Sequence, residues 1–420
     1  MNRREVWITG IGLVTAAGIG LDAFCAGLRR GRSPIRRVDR FDPSAFRSQV
    51  AGQVDDFDPI DYMDARAVRG LDRFSQFGVA AGRQAIEDAH LTPGGRNQPD
   101  PGRIGIYLGS ALGGVAFAEE QHVRYLERGI RSVSPTLALA VFGGAAPANL
   151  GMALGVRGPI LSTANSCASG AVAVGEALGA IRAGEIDAAI AGGVECPLSA
   201  LAFGAFDIIR ALANGHNDRP EVACRPFDSE RSGFVLAEGA ALLVLEESHA
   251  AERRGAVPYA VVRGYGSTSD AHHMVQPRPD GSEAARAVTI ALADAGDEPA
   301  DIEYVNAHAS STPLGDVAEA RALARALGTP VRVPVSGTKA IYGHPLGATG
   351  AIEAVVAALA IRDGWAPPSV NLETPDAEIG DLLPGLIREP AGCAQPFRRV
   401  LSTSFGFGGL NGALVLGAPS

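Results

Sequence analysis

The chain has 420 residues, enough for two ordinary domains or one large duplicated fold with a substantial buried core. Hydrophobic residues make up 46% and charged residues 20%, which excludes a disordered chain. The formal net charge of −9 argues against a duplex nucleic-acid binder, because phosphate contacts need clustered positive charge. Of the 37 basic residues, 36 are arginine and one, Lys339, is lysine. If drift replaced lysine wherever either cation serves, the survivor marks a place where ammonium and guanidinium are not interchangeable.

Strand-like and helix-like segments alternate along the chain. The pattern predicts a strand at Val6–Gly10, a helix at Phe74–Ala89, a strand at Ile104–Leu108 and a helix at Ala116–Leu126. Next come a strand at Ile160–Thr163, a helix at Ala168–Ala183, and strands at Ala188–Ala191, Ala240–Leu245 and Tyr259–Tyr265. The remainder reads as a helix at Glu283–Ala295, a strand at Ile302–Val305, a helix at Asp316–Leu327 and a strand at Val331–Val335. A helix at Ala348–Arg362 and strands at Val400–Thr403 and Ala413–Leu416 finish the chain. This mixture calls for α/β layers with helices packed on sheets.

Five widely spaced cysteines without a C-x-x-C pair indicate neither a zinc ribbon nor a disulfide framework, and suit a reducing cytoplasm. The N-terminal MNRREVWITG lacks a signal-peptide apolar core. Leu137–Val156 is uncharged but rich in Ala and Gly, with Pro147 and Asn149, so it reads as a core or subunit-contact helix and not as a membrane span. Arg157 is the only charge from Ser132 to Gly175, which places that region near the centre of an assembly.

Residues 168–184, ASGAVAVGEALGAIRAG, and residues 348–364, ATGAIEAVVAALAIRDG, are identical at eight of 17 positions. Each follows a strand and a polar loop, so one supersecondary unit occurs twice. The polar stretch Glu247–Gly255 marks the boundary between halves of roughly 1–250 and 251–420. Each half would deliver a loop and a helix N-terminus to a shared site.

In the first copy, Cys167 lies between a short strand and a helix of small residues, where unpaired N–H groups and the helix dipole favour thiolate. A cysteine in an Ala/Gly-rich helix is also ordinary packing material. In the second half, His308 stands among hydroxyls in NAHASSTP. Lys339 lies five residues before His344 in SGTKAIYGHPLG, ahead of the matching helix. A cysteine with two histidines suits covalent acyl chemistry, with the imidazoles donating to an oxyanion or enolate. A cysteine hydrolase needs only one histidine, so the second histidine and the lysine point to a second reaction stage. The glycine-rich TSFGFGGLN at 403–411 could bring a backbone N–H to an oxyanion, or be a plain turn between strands.

Together RGPILSTANSCASGAVAVG, CRPFDSERSGFVLAEGAALLVLEE, VNAHASSTPLGD, GTKAIYGHPLGATGAIEA and SFGFGGLNGALVL resemble the elongating β-ketoacyl-[acyl-carrier-protein] synthases of the thiolase superfamily, over nearly the whole chain. The resemblance implies a thiolase-like duplicated five-layered α/β/α/β/α fold and a dimer. It implies Cys167 as acylated nucleophile, with His308 and His344 promoting malonyl decarboxylation. Lys339 would support the histidines and be linked to Glu353, which is itself expected among the substrate-binding residues. The N–H groups of Cys167 and Phe407 would form the oxyanion hole. By the same resemblance Phe407 gates an acyl pocket lined by Leu112, Gly408 belongs to the substrate-binding turn, and Ser310 and Thr312 bind the phosphopantetheine arm.

No resident cofactor or metal is implied, since the arm arrives on the carrier protein. The implied partners are acyl carrier protein, docking at Arg69, Arg131 and Arg210, and a second subunit, either identical or a chain-length factor. Some positions depart from the family. The stretch at 308–312 reads His-Ala-Ser-Ser-Thr for the usual His-Gly-Thr-Ser-Thr, Leu410 replaces a threonine, Tyr342 is bulkier than usual, and Gly70 stands for a lysine. Leu410 and Tyr342 bear on substrate size and gate movement. Three other readings exist. One is a dinucleotide enzyme, from the incomplete pattern Gly10-Ile-Gly12. A thiolase or starter-type condensing enzyme would keep the cysteine but differ in the second-half residues, against which His344 in GHPLG and the lysine speak. A non-catalytic partner subunit would lack the cysteine.

Overall fold

The computed structural model describes residues 4–389 and 391–419. In the first half, strands β1 (Val6–Thr15), β2 (Ile104–Gly109), β3 (Ile160–Thr163), β4 (Ala188–Glu195) and β5 (Gly239–Glu247) run in the order β3-β2-β4-β5-β1. In the second, β6 (Ala260–Ser269), β7 (Tyr304–Ala307), β8 (Val335–Gly337), β9 (Arg399–Gly406) and β10 (Leu410–Gly417) run β8-β7-β9-β10-β6. Numbered within each half, both orders are third-second-fourth-fifth-first. The parallel and antiparallel neighbours also correspond, pair by pair. A short antiparallel contact, Trp7 with Val261 and Ile8 with Ala260, joins the two sheets edge to edge.

Six helices build the layers: α1 (Arg73–Asp88), α2 (Ala145–Leu154), α3 (Ser169–Arg182), α4 (Ser282–Ala295), α5 (Pro313–Leu327) and α6 (Thr349–Asp363). α1 and α2 cover the outer face of the first sheet, α4 and α5 that of the second, and α3 and α6 lie between. α6 meets protein on nearly every side and is buried from Thr349 to Ile361, with Glu353 its one charge in that stretch, whereas α3 leaves Glu176 and Gly179 exposed. They cross at small residues. A Cβ on Gly170 would sit 2.9 Å from the Ala351 nitrogen, and one on Gly350 2.8 Å from the Ala171 nitrogen. These two glycines are repeat equivalents. Their contact brings the two helix N-termini, and the loops before them, face to face.

Several expectations are sharpened or corrected. Leu137–Val156 is not one helix: Leu137–Ala140 and Ala145–Leu154 are separate, broken at the Gly143-Gly144 pair. Among the described residues no helix is long and apolar enough to cross a membrane. Gly10 and Gly12 lie inside β1, where a side chain would collide with the Ala85 and Ala81 carbonyls of α1, so they serve helix-on-strand packing and form no phosphate loop. The expected strand at Val331–Val335 begins only at Val335, because Pro330 and Pro334 remove ladder donors before it. The boundary stretch holds a one-and-a-half-turn helix, Ser248–Arg253.

Candidate active site

β3 ends at Thr163, and the chain enters α3 through a tight turn, Ser166–Ala168, with Ser166 in the left-handed region at φ 52°. The turn lifts Cys167 to the helix start. The Ser169 hydroxyl fixes it, donating to the Ser166 carbonyl at 2.6 Å and accepting from the Asn165 N–H at 2.8 Å. On the other side lies Gly406 at the end of β9, where a Cβ would stand only 3.0 Å from the Cys167 nitrogen.

His344 approaches from the second half, with Nε2 3.2 Å from the Cys167 sulfur and Nδ1 2.8 Å from the Thr349 hydroxyl. The His308 ring lies edge-on to it, with ring centres 5.4 Å apart. One ligand atom from each of Cys167, His308 and His344 falls within 4.8 Å of the other two. Glu319 on α5 aims His308 by accepting from the N–H groups of His308 at 2.8 Å and Ala309 at 2.7 Å. Phe234 closes the far side, packed edge-on against the His344 ring and near Phe407.

Lys339 is fully buried. Its ammonium contacts the Glu353 carboxylate and the His308 carbonyl, and lies 3.3 Å from His308 Nδ1. An ammonium has only donors, so His308 Nδ1 accepts and the ring proton sits on Nε2. Burial, then the nearby Lys339 charge, holds both imidazoles well below the ordinary histidine range. Both rings are therefore neutral at physiological pH, able to donate a hydrogen bond without carrying charge. Burial pushes the Cys167 thiol up to about 11, against the opposing pull of Ser166, Lys339 and the Phe407 N–H. Burial likewise raises Glu353 to about 8, opposed by Lys339.

A cleft of about 310 Å³ opens onto these groups and is lined by Cys167, His308, His344, Ser310, Thr312 and Phe407. Ser310 and Thr312 share a hydroxyl contact of 2.9 Å, and Thr312 caps α5. Leu112 packs with Cys167, Phe206 and Phe407 in an apolar cluster beside the sulfur. Two expected substrate contacts fall elsewhere. Glu353 is wholly buried behind Lys339, and Gly408 sits in the β9–β10 turn at φ 81°, donating to the Met274 carbonyl. Tyr342, expected to bear on substrate size, is a core residue; its hydroxyl meets Thr338 at 2.8 Å and its ring faces Phe24. Of the three arginines expected to dock a carrier protein, all exposed, only Arg210 borders the cleft. Arg69 and Arg131 sit on separate short helices away from the cleft lining.

The β-ketoacyl synthase N-terminal domain matches residues 3–251, and the β-ketoacyl synthase C-terminal domain matches residues 259–373. The chain belongs to the β-ketoacyl synthase family. Its fold is accordingly the mixed α/β thiolase-like fold, and its members are acyltransferases. The chain is 39% identical to 3-oxoacyl-[acyl-carrier-protein] synthase 2 of Vibrio cholerae serotype O1, over 99% of both chains. It is 40% identical to the enzyme of the same name from Coxiella burnetii, again over 99% of both. A β-ketoacyl synthase from Burkholderia phymatum matches with a TM-score of 0.90 at 36% identity, covering 99% of this chain and 100% of that one. A type II polyketide ketosynthase, solved with its acyl-carrier protein and bound to the hexaketide, matches with a TM-score of 0.91 at 31% identity, over the full length of both.

Sequence reading missed three residues that shape this β-ketoacyl synthase site: Glu319, Thr349 and Phe234. Glu319 was findable as an acidic residue on the inner face of a helix rich in alanine. Phe234 and Thr349 act only through contacts across the fold.

Proposed function

We propose that this chain is a 3-oxoacyl-[acyl-carrier-protein] synthase that joins a cysteine-bound acyl chain to a malonyl unit in fatty acid or polyketide elongation. The observation that carries the reading is a buried cysteine sulfur beside two neutral imidazoles at the foot of one cleft. Cys167 attacks the incoming thioester. The new S–C bond replaces the bond to the phosphopantetheine sulfur, which leaves as a thiol with the proton that Cys167 gives up. The Phe407 N–H, which faces the sulfur, and the Cys167 N–H would stabilise the tetrahedral oxyanion.

Malonyl thioester then enters, its arm bound by Ser310 and Thr312. His308 and His344 donate from Nε2 to its carbonyl oxygen. Carbon dioxide leaves with the carboxylate charge moving into an enolate, whose carbon attacks the acyl-cysteine; the sulfur returns as thiolate and takes up a proton. For His344 this requires the Thr349 hydroxyl to donate to Nδ1. Neutral rings suit the task, since they stabilise the enolate oxygen without protonating it beforehand.

The repeated strand order supports reading 1–250 and 251–420 as two copies of one unit. β3 forms one edge of the sheet, with Ile160 and Leu161 exposed, and Met152, Phe142 and Leu139 nearby in sequence are also exposed. That apolar edge supports pairing with a second subunit, identical or a chain-length factor, within the cytoplasm. Pairing with a chain-length factor is supported by one observation: the ishigamide ketosynthase/chain length factor structure also matches over the whole chain, with a TM-score of 0.91 at 32% identity. The test is incubation with acyl- and malonyl-loaded carrier proteins, read by intact mass and product analysis. Acylation that persists in Cys167→Ala would overturn the assignment.

A further inference from the structure

One buried carboxylate takes no part in the scheme above. Glu195 ends β4, a strand otherwise without charge, and has no exposed surface. Its two oxygens face four donors. Oε1 accepts from the Ser110 hydroxyl at 3.0 Å and the Leu112 N–H at 3.1 Å. Oε2 accepts from the Ala111 N–H at 2.6 Å and the Gly347 N–H at 3.0 Å.

These donors come from opposite halves of the molecule. Ser110–Leu112 follows β2 and carries the apolar wall beside the sulfur, while Gly347 lies three residues beyond His344. The two backbones touch. A Cβ on Gly347 would lie 2.5 Å from the Ala111 nitrogen, 2.7 Å from the Ser110 Cα and 2.8 Å from Glu195 Oε2. The same loop also leans on the nucleophile's strand, the Ser110 N–H donating to the Thr163 carbonyl at 3.0 Å. Glu195 therefore sits where the loops bearing Leu112, Cys167 and His344 converge.

We infer that Glu195 is a positioning residue that clamps the Leu112 wall of the acyl pocket to the His344 turn, fixing the bound acyl chain relative to the imidazole. The inference rests on the synthase reading, because the acyl pocket and the role of His344 come from it. Burial raises Glu195 to about 7 against the pull of these four donors. In its ionised form the carboxylate is acceptor-only and satisfies all four, which an amide of the same shape cannot do. In Glu195→Gln the amide oxygen can keep Ala111 and Gly347. The amide nitrogen can donate to the Ser110 hydroxyl, but it leaves the Leu112 N–H without an acceptor. The substitution thus loosens the acyl wall and spares the histidine turn.

The experiment compares wild type, Glu195→Gln and Ser110→Ala in two separate half-reactions. Cys167 acylation is timed with octanoyl- and hexadecanoyl-carrier protein, and decarboxylation is timed with malonyl-carrier protein. In Glu195→Gln the octanoyl-to-hexadecanoyl rate ratio should shift by about tenfold, the scale set by one unsatisfied buried donor, with decarboxylation changed less than acylation. Ser110→Ala keeps the carboxylate and three of its donors but also strips the Gly113 N–H of its acceptor at 2.9 Å in the same loop. It should therefore shift the ratio in the same direction, and it decides the matter if Glu195→Gln does not fold. An unchanged ratio, or equal losses in both half-reactions, would overturn the clamp while leaving the synthase intact. A wild-type protein that takes up no acyl group would overturn the synthase reading itself.

Discussion

The turns before α3 and α6 are the same piece of structure put to two uses. Both are short 3-10 turns at a helix start, Ser166–Ala168 and Leu346–Ala348, and both open on a non-glycine residue at positive φ, 52° at Ser166 and 33° at Leu346. At the middle position the first carries Cys167 and the second Gly347. At the first helical position the Ser169 hydroxyl holds the turn's own backbone, whereas that of Thr349 reaches back to His344. One copy thus presents a cysteine sulfur to the cleft, the nucleophile of the proposed reaction. The other gives up its side chain so that two loops can meet, and moves its working residue three positions earlier. A duplicated scaffold specialises by changing which atom of the turn faces the cleft, while the helix crossing at Gly170 and Gly350 stays symmetric.

The largest test of this division removes the reacting atom. Cys167→Ala is expected to yield no acyl adduct by intact mass and no 3-oxoacyl product. Next, Lys339→Arg keeps the charge but puts a larger, planar group into a site with no exposed surface, against Glu353 and His308. Malonyl decarboxylation should fall about a hundredfold, which corresponds to losing roughly 2–3 kcal/mol of transition-state stabilisation. Gly347→Ala tests the other turn through stability. Its Cβ would meet the Ala111 backbone, so thermal denaturation should show a loss of about 2–3 kcal/mol, the usual scale of overpacking.

Thr349→Val removes the hydroxyl that orients His344 and keeps the shape; decarboxylation should fall about tenfold while Cys167 acylation changes little. The smallest effect concerns pH. Both imidazoles are held well below the usual value, so on acidification they gain a proton only after free histidine has done so. Because Glu353, raised to about 8, and Glu319, raised to about 7, titrate in the same window, the rings themselves are the readout. The imidazole nitrogen-15 signals of His308 and His344 should keep neutral-ring character as pH falls from 8 through 6.5. Ring protonation centred on the free-histidine range would contradict neutral rings buried beside Lys339.

Much of the site was legible in the sequence because its chemistry sits in contiguous motifs. Cys167, His308, Lys339 and His344 each lie in a loop between a strand and a helix, and loop residues of rare type stand out against an Ala- and Gly-rich background. The lone lysine lies where the composition pointed, fully buried between a carboxylate and a histidine. Gly408, Glu353 and Tyr342 were less well served, since motif membership says nothing about which way a side chain faces. Tyr342 fills the core and Glu353 hides behind Lys339.

The sequence alone determined the alternation of elements, the internal repeat and the residue types delivered by each copy. These are local properties, carried by periodicity and by contiguous turns. The tertiary structure alone decided the distances: His344 at 3.2 Å from the sulfur, Glu319 under the His308 backbone, and Glu195 between Leu112 and Gly347. Cys167 and His344 are 177 residues apart, and only the crossing of α3 on α6 brings them into contact. The same burial that makes this contact strips water from the imidazoles, so their neutrality is a property of the fold and not of histidine.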